Sequence, residues 1–461
     1  MRTRWHVLWW TVGLVACHSS PEPTVPLALQ QVTPAIAPTT GGTIVQLLGS
    51  GFTSQSVVAF DGLASPAVHL GPDGSLSASV PAHLGSAGLV DVRVEDPTSL
   101  ADPAILPKSF RYYFGSLGFV ASPDMPTTGT NPWFVQADDL NGDGLLDLVV
   151  TNYGGLNLNV FIGKGDGTFR PQVTYSAGRS PFGFVIADMD GDGKKDLVVG
   201  QYAIAPLQIL YGKGDGTFET SQSIGSLQAP RGVQVADLNR DGQVDVVTAN
   251  QQDGTLGVVL GQGGRKFAMP VTYPAGSGAR AVAIADFDGR NGPDVAVWAE
   301  TAATVNLFLN RGDATFVAGQ VYMAGPKPVS GIAVDMNKDG KIDLVSATGT
   351  QQPVLVHLGN GDGTFATGMP CGQAVSANQV VSEDFNLDGN PDLAVANYSV
   401  EGSVSVLPGL GDGRCGAAVH TSAGRATTGL AVADFDRDGK LDIVTSNSNS
   451  QNVVFLRSAA K

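Results

Sequence analysis

A nine-residue acidic segment recurs seven times in this chain of 461 residues, and it constrains the fold more than any other feature. Successive copies begin 49 residues apart, except across the last interval, which is 50. Self-similarity at a fixed period of this length indicates one supersecondary unit repeated around or along an array. The segments begin at Asp139, Asp188, Asp237, Asp286, Asp335, Asp384 and Asp434.

Each repeat carries the apolar pattern of four short strands. In the second copy, Phe184–Ala187 leads into the acidic segment, Leu197–Val199 leaves it and Leu207–Tyr211 follows. A Gly-Asp-Gly-Thr-Phe turn at 214–218 then precedes a fourth strand. Four strands per repeat, seven times over, are typical of propeller blades. The sequence therefore predicts a seven-bladed β-propeller over 115–461.

The two ends of this region complement each other. After the last acidic segment the sequence supplies only two strands, at Ile443–Thr445 and Val453–Leu456. We expect Leu117–Ala121 to provide the missing outer strand of that blade. Such a blade, built from both ends, removes an exposed sheet edge.

Residues 31–114 follow a different pattern. Apolar residues alternate at Val90, Val92 and Val94 between turns that contain glycine, as in a β-sandwich. The Gly-Gly-Thr turn at 41–43 and the Gly-Ser-Gly-Phe step at 49–52 resemble the IPT/TIG immunoglobulin-like domain. The resemblance implies an all-β protein in which such a sandwich precedes the propeller. That family occurs in surface receptors and in some DNA-binding factors, and the low basic content favours the surface role.

The first seventeen residues predict export. Arg2 and Arg4 precede an apolar stretch, Val7–Ala16, that is too short to span a bilayer. Its Leu-Val-Ala-Cys ending resembles the lipobox of bacterial lipoproteins, which implies cleavage before Cys17 and lipidation of its thiol. Ordinary secretion is the alternative. Residues 18–30 have the composition of a tether, so we expect a protein anchored in the cell envelope by lipid, or otherwise secreted.

The two other cysteines, Cys371 and Cys415, fall in consecutive repeats. In an oxidising compartment they can form a disulfide. Two separate free thiols are the alternative.

The acidic segments have the pattern D-x-[DN]-x-D-G-x-x-D, numbered here as positions one to nine. Oxygen groups at positions one, three, five and nine, with the carbonyl of position seven, can point at one centre. Hard oxygen ligands in a loop with a turn glycine suit Ca²⁺ better than zinc or copper, and Mg²⁺ demands tighter octahedral geometry. The predicted ligands of six complete loops are Asp139, Asn141, Asp143, Leu145, Asp147; Asp188, Asp190, Asp192, Lys194, Asp196; Asp237, Asn239, Asp241, Gln243, Asp245; Asp335, Asn337, Asp339, Lys341, Asp343; Asp384, Asn386, Asp388, Asn390, Asp392; and Asp434, Asp436, Asp438, Lys440, Asp442.

The fourth loop departs from the pattern. It keeps Asp286, Asp288 and Asp294, but Arg290 stands at position five and Asn291 at position six. A cation beside the ligand centre repels Ca²⁺, so we expect this site to be weak or empty. Arg290 could instead neutralise the remaining carboxylates.

The net charge of −15 agrees with cation binding. The seven loops hold 23 of the 42 acidic residues, and six divalent ions would bring the net charge to −3. Without cations, several carboxylates in one loop repel one another strongly. The same acidity argues against nucleic acid, which needs clustered Lys and Arg.

The repeated strand–loop–strand motif resembles the FG-GAP/VCBS repeat family, which includes the propeller of integrin α-subunits. The resemblance covers about 115–461. It implies calcium in the loops between the first and second strands of the blades, with a stabilising role.

One position in each repeat varies in a way that scaffolding does not require. Six residues before each acidic loop, the chain should enter the innermost strand at the central mouth, on the face opposite the acidic loops. Two aromatics beside two arginines suit stacking on a sugar or pairing with a carboxylate, so we predict Trp133, Phe182, Arg231, Arg280 and Asn378 as ligand-binding. Variable surface residues are the alternative. Read round the ring, the position holds Trp133, Phe182, Arg231, Arg280, Val329, Asn378 and Thr428.

These features predict a non-catalytic, monomeric binding or adhesion protein that recognises a protein or glycan through its propeller. The alternative is an extracellular carbohydrate-active enzyme of the polysaccharide lyase kind, and a third possibility is a structural role in the envelope. The six histidines do not cluster in the sequence, His357 is expected at the surface, and no zinc-protease, nucleophile-elbow or Walker motif occurs.

Overall fold

The computed structural model describes residues 25–84, 86–99, 101–122, 125–126, 129–373 and 376–460. The predicted signal peptide, Cys17 and residues 18–24 of the predicted tether lie outside the described residues. Within the described ranges, all regular structure is β. No helix there is long and apolar enough to cross a membrane. The chain divides into two compact units, one formed by the residues up to His83 with Leu89–Tyr112, the other by Tyr113 onward with Leu84–Gly88.

The N-terminal unit is a β region of two antiparallel sheets. One sheet has the strand order β1-β3-β7-β6 and the other β2-β9-β8-β4-β5. The strands are β1 (Ala28–Thr33), β2 (Ile36–Pro38), β3 (Ile44–Ser50), β4 (Val57–Phe60), β5 (Leu63–Ala64), β6 (Val68–Leu70), β7 (Leu76–Ser79), β8 (Gly88–Glu95) and β9 (Ala104–Tyr113).

Both sheets contribute to one hydrophobic core, which is why apolar residues alternate along their strands. In β3, Val45 and Leu47 are buried while Ile44 and Gln46 are exposed. Phe60 and Phe110 pack edge to face with their ring centroids 4.9 Å apart. Strand β1 begins at Ala28, so the last three residues of the predicted 18–30 tether belong to a sheet, because Leu29 and Val32 are buried in this core.

The C-terminal unit contains seven antiparallel sheets of the propeller-blade type. In blades one to six, four consecutive strands pair in chain order. Their strands are β12 (Pro132–Asp138), β13 (Asp147–Asn152), β14 (Asn157–Phe161), β15 (Val173–Ser176); β16 (Pro181–Ala187), β17 (Asp196–Gln201), β18 (Leu207–Leu210), β19 (Gln222–Ile224); β20 (Pro230–Ala236), β21 (Asp245–Asn250), β22 (Thr255–Val259), β23 (Val271–Pro274); β24 (Ala279–Ala285), β25 (Asp294–Ala299), β26 (Thr304–Asn310), β27 (Phe316–Met323); β28 (Pro328–Val334), β29 (Asp343–Thr348), β30 (Pro353–His357), β31 (Met369–Gln373); and β32 (Ala377–Glu383), β33 (Asp392–Asn397), β34 (Ser403–Leu407), β35 (Val419–Ser422).

The seventh blade is built from both ends of the propeller region. Its inner strands are β36 (Thr427–Ala433), β37 (Asp442–Asn447) and β38 (Asn452–Ser458). The outer edge of β38 pairs with β10 (Phe119–Ala121) and β11 (Met125–Pro126). This confirms the predicted closure and the seven-bladed, all-β fold, because the ring needs no further strand to satisfy its last edge.

The first strands of successive blades contact one another around the ring, and the last of them, β36, returns to β12. Each of seven core clusters in the described propeller lies between two neighbouring blades. The second strand of each blade is therefore covered on both faces and is buried along its whole length. This explains its continuous apolar run.

One inter-blade contact depends on a glycine. Trp298 on β25 is fully buried, and its Nε1 donates to Ser346 Oγ on the next blade at 2.8 Å. A Cβ placed on Gly331 would lie 2.0 Å from the Trp298 ring. Only glycine at 331 therefore lets the indole lie against that backbone.

Cys371 and Cys415 form a disulfide, with their Cα atoms 4.8 Å apart. It joins β31, the outer strand of blade five, to the turn between β34 and β35 in blade six. Of the two alternatives that the sequence left open, the structure has the bonded one.

We expect the double substitution Cys371→Ser/Cys415→Ser to lower the free energy of unfolding by about 3 to 4 kcal/mol. The disulfide closes a loop of 44 residues in the unfolded chain, and its removal restores that chain entropy. Chemical denaturation of the two proteins measures the difference. Free alkylation of both thiols in unreduced, unfolded wild-type protein would contradict the assignment.

Candidate functional site

The ninth position of every acidic loop is a buried aspartate that accepts two backbone hydrogen bonds. In the first loop, Asp147 Oδ2 accepts from Leu140 N at 3.0 Å and Oδ1 from Gly163 N at 2.8 Å. One carboxylate therefore joins the acidic loop to the turn after the third strand. The same pair of bonds is made by Asp196, Asp245, Asp294, Asp343, Asp392 and Asp442.

The first position organises the rest of the loop. Asp139 accepts hydrogen bonds from Gly142 N and Gly144 N, both at 2.7 Å. Positions four and six of each loop have positive φ, which places successive amides toward the first carboxylate. The loop backbone is thus arranged by its own side chains, between the first and second strands of the blade.

Three loops bring carboxylates together most closely. Among the described residues, the carboxylate groups of positions one, three and nine have oxygens within 4.8 Å of one another in each loop that has aspartate at position three. Oxygen donors at this spacing are a suitable set for a hard divalent cation. The groups are Asp188, Asp190, Asp196; Asp286, Asp288, Asp294; and Asp434, Asp436, Asp442.

The arrangement buries the ninth carboxyl group beside other carboxylates, which disfavours its ionisation. Burial raises the pKa of Asp392 to about 7, and the nearby carboxylates of Asp388 and Asp384 add to the rise. Burial likewise raises the pKa of Asp442 to about 7, with contributions from Asp436 and Asp438. A bound cation would relieve both the desolvation and the repulsion.

Basic side chains engage some of the predicted ligands. Arg265 Nε lies 2.7 Å from Asp190 Oδ2, and Arg457 Nε lies 2.9 Å from Asp436 Oδ2. At position five, Lys194 Nζ lies 2.8 Å from Asp192 Oδ2. The structure thus offsets part of the charge in loops two and seven, which carry one aspartate more than the other complete loops.

The fourth loop keeps the shape of the others. Asn291 takes the place of glycine at position six with a φ of 57°, which asparagine tolerates. Its three carboxylates converge as described, although we expected a poor site. In the described part of the chain, Arg290 forms no ion pair with them. Hydrogen bonds from Thr364 lower the pKa of Asp362 in a turn of blade five, and the charge of Arg290 lowers it further. The direct neutralisation considered from sequence is therefore not seen, and weak occupancy stays a prediction.

A cavity of about 500 Å³ opens at the central mouth, at the start of the first strands. The first strands end in the acidic loops, so the mouth and the loops lie on opposite faces of the ring. All five residues predicted as ligand-binding line this cavity, together with Val329. Thr428 does not, because it is fully buried and its hydroxyl donates to Pro132 O at 3.0 Å.

One wall of the mouth cavity is aromatic. The ring centroid of Trp133 lies 5.2 Å from that of Phe182 and 6.0 Å from that of Tyr398. Phe182 in turn lies 5.5 Å from Tyr202. Tyr398 is 42% exposed, so part of this wall faces open space.

The opposite wall is charged. Arg280 donates to Glu300 Oε2 at 2.9 Å and to Asn378 Oδ1 at 3.2 Å. Lys327 Nζ lies 3.8 Å from Glu300 Oε1. Arg231 lies between the two walls, with its Cζ 3.5 Å from the Tyr202 ring centroid.

Several lining residues were missed from the sequence. Tyr202, Gln251, Glu300 and Tyr398 each follow directly after the second strand of their blade. They are spaced by 49 residues or twice that number. The 49-residue period would therefore have identified them if the position directly after each second strand had been compared between repeats. The sequence prediction used only the position six residues before each acidic loop. The sequence does not show that this set of residues and the set after the second strands line the same cavity.

A family model of the FG-GAP-like repeat matches six adjoining or overlapping segments, which together run from 139 to 445. This chain belongs to the FG-GAP-like repeat family. The matched segments are 139–199, 200–248, 237–297, 286–346, 335–395 and 384–445. A search of curated proteins found no match.

Solved structures resemble this FG-GAP propeller protein at low identity. BBS1N, from its complex with ARL6DN, is 11% identical over 74% of this chain and 97% of its own, with a TM-score of 0.51. This shows the fold alone. An Agrocybe aegerita lectin that recognises non-reducing terminal N-acetylglucosamine has 15% identity, 87% and 99% coverage and a TM-score of 0.45. An auxiliary nutrient binding protein from Bacteroides ovatus is 13% identical over 94% of this chain and 98% of its own, with a TM-score of 0.41.

His357 was expected at the surface, and this was wrong. Its side chain is buried in blade five of the FG-GAP propeller, with Nε2 3.1 Å from Met323 O. Strand β30 ends at this residue beneath the outer strand, so the imidazole lies far from the mouth cavity's lining.

In calcium-free FG-GAP propeller, we expect the free energy of unfolding to decrease as the pH rises from about 4 to about 7. Burial raises the pKa of Asp196 and Asp294 to about 6, and that of Asp392 and Asp442 to about 7. An unfolded aspartate titrates near 3.9, so the folded chain binds more protons in this window and proton loss favours unfolding.

Urea denaturation in chelator at several pH values measures this slope. Because exposed aspartates oppose it, Asp392→Asn is the matched comparison and should have a shallower decrease than wild type. Equal slopes in the two proteins would contradict the assignment.

Proposed function

We propose that this FG-GAP propeller protein is an exported, non-catalytic binding protein of the cell envelope. Calcium in its acidic loops stabilises the propeller, and the central mouth recognises a glycan. The N-terminal β region acts as an IPT/TIG-like spacer, and lipid on Cys17 holds the protein at the membrane. The observation that carries the proposal is the mouth cavity, whose walls are aromatic on one side and charged on the other.

The calcium part rests on the donor chemistry of the loops. All candidate ligands are oxygens, from carboxylates and amides at positions one, three, five and nine and the carbonyl of position seven. The ninth aspartates are buried beside other carboxylates, which raises their pKa values, and a bound cation would offset that repulsion. Calcium bound there would link the start of the second strand to its loop, and would add its binding free energy to folding.

Removing calcium with a chelator should lower the melting temperature by many degrees. Each site filled to about 100 times its Kd adds about 2.7 kcal/mol, and six loops have the complete pattern. Calorimetry and metal analysis of the purified protein measure the shift and the ion content.

Single-loop variants test which sites are filled. Asp237→Asn should remove one ion, whereas the matched change Asp286→Asn in the fourth loop should leave the ion content unchanged. A wild-type protein that carries no calcium and melts identically in chelator would overturn the assignment.

A glycan suits the mouth better than a protein surface does. A cavity of about 500 Å³ is within the range of small-ligand sites, of roughly 300 to 1,000 Å³. The half-buried Trp133 and the exposed Tyr398 offer flat apolar area beside polar lining residues such as Gln251. This combination fits a sugar ring, which has apolar C–H faces and polar edges.

Binding of an oligosaccharide array to the full chain tests the proposal. Trp133→Ala should weaken binding of any captured glycan at least about tenfold, which is about 1.4 kcal/mol, because it removes the centre of the aromatic wall. Leu410→Ala, an exposed apolar residue of a turn on the opposite face, is the control and should bind normally. A wild-type protein that binds no glycan would refute the proposal.

Turnover is the outcome that favours the other candidate. Tyr202, Tyr398 and Lys327 line the cavity, and side chains of these types can act as bases on a polysaccharide. Cleavage of a bound polysaccharide that is lost in Tyr398→Phe would make the protein an enzyme of the lyase kind.

A further inference from the structure

We propose that the mouth cavity selects saccharides that carry a carboxylate, such as uronic acids, and that Arg231 reads the carboxylate. This inference rests on the proposed glycan-binding function and names the ligand class. It follows from the charge of the cavity, the state of Arg231 and the separate engagement of Arg280.

The cavity is a positive region in an acidic protein. Arg231, Arg280 and Lys327 line it with one acidic residue, Glu300, which leaves a net charge of +2. The whole chain carries −15, and most of its acids lie in loops at the other end of the strands. A cavity of this sign raises the local concentration of anionic ligands.

Arg231 is a buried cation without a carboxylate partner. Its side chain is 7% exposed and stacks on Tyr202, with Cζ 5.4 Å from the Phe182 centroid as well. In the described part of the chain, no carboxylate lies within ion-pairing distance of its guanidinium, and its Nε has no hydrogen-bond partner. Burial lowers the pKa of Arg231 and the neighbouring charge of Arg280 acts in the same direction, while Tyr202 and Glu300 oppose the shift.

A buried charge and a buried unpaired donor both cost free energy that a suitable ligand recovers. The Tyr202 ring, 3.5 Å from Cζ, restricts the orientation of the Arg231 guanidinium, whose planar fork carries several N–H donors. A carboxylate matches that geometry with two hydrogen bonds. A neutral hydroxyl cannot neutralise the charge.

Arg280 has a different role. Its two terminal nitrogens already donate to Glu300 and Asn378, so it is held in place and adds positive potential without needing a new partner. This contrast singles out Arg231 as the group whose hydrogen bonding is incomplete.

The aromatic wall identifies the rest of the ligand as a sugar. Trp133 lies beside Phe182, the ring that Arg231 also approaches, and its Nε1 is a second buried donor without a partner within the described ranges. A pyranose ring on the Trp133 face would lie beside Phe182, and its carboxylate would face the Arg231 guanidinium. An acidic peptide would have the charge but no rigid ring for this wall.

The test compares an array of uronate-containing oligosaccharides with their carboxyl-reduced counterparts on the full chain. The reduced sugars keep ring, linkage and hydroxyls and lose only the charge. We expect wild-type protein to bind at least one acidic oligosaccharide, and to bind its reduced form about tenfold or more weakly.

Arg231→Gln should abolish that preference, so that the acidic and reduced forms bind alike, and Arg231→Lys should retain it only in part. Arg170→Gln, at an exposed arginine of blade one, is the matched control and should retain the full preference. Should Arg231→Gln fail to fold, the methyl ester of the same oligosaccharide tests the point on wild-type protein and should bind like the reduced form.

The outcomes separate the two proposals. Equal binding of acidic and reduced sugars, or a preference that survives Arg231→Gln, overturns the carboxylate inference and leaves glycan binding intact. Binding of acidic peptides but of no sugar overturns both.

Discussion

The buried carboxylate at the ninth position of each acidic loop is the interaction on which the propeller depends. It begins the second strand, which both neighbouring blades cover, and it accepts amides from the acidic loop and from the segment after the third strand. Three parts of a blade are therefore fixed by one side chain. The fourth blade keeps this aspartate, Asp294, although its loop has lost the acid at position five. The hydrogen bonds of the ninth position therefore do not require the acid at position five.

Neighbouring blades also interlock on the face that carries the acidic loops. In blade one, Gly167 N donates to Phe435 O in the loop of blade seven at 3.2 Å, and in blade five Gly363 N donates to Phe287 O in the loop of blade four at 2.9 Å. These two Gly-Asp-Gly turns therefore contact the acidic loop of the preceding blade. Order imposed on a loop by a cation would extend to the next blade through these bonds.

The two faces of the ring differ in how strictly they repeat. The face with the acidic loops uses the same residues in almost every blade, because each loop must solve the same problem of backbone hydrogen bonding. The mouth face changes from blade to blade, from Trp133 to Arg231 to Asn378. Such asymmetry on a symmetric scaffold lets six of the seven equivalent positions line a single cavity with one aromatic and one charged wall. It also separates net charge, because the loops at one end of the strands hold most of the carboxylates while the mouth cavity has a net charge of +2.

Much of this protein follows from local sequence. The 49-residue period, the four apolar runs and the glycine turns define blades, and the count of acidic segments defines seven of them, since each is a short-range pattern. The closing strand at Phe119–Ala121 was also predictable, because a blade with an unpaired edge is unstable in isolation. Sequence likewise placed Trp133, Phe182, Arg231, Arg280 and Asn378 at the mouth. The disulfide and the start of β1 at Ala28 needed the structure, as they depend on distances and burial between segments far apart in the chain.

What only the tertiary structure decided is how these residues meet. Periodicity gives the height of a residue along its strand, but neither its partners across the ring nor its exposure. It therefore could not show that Arg280 is held by Glu300 and Asn378 while Arg231 lies buried on Tyr202 without a carboxylate. Sequence determined a closed ring of acidic loops through short-range spacing. Ring closure decided the cavity, because it brings side chains from different blades to one axis and removes water from some of them but not from others.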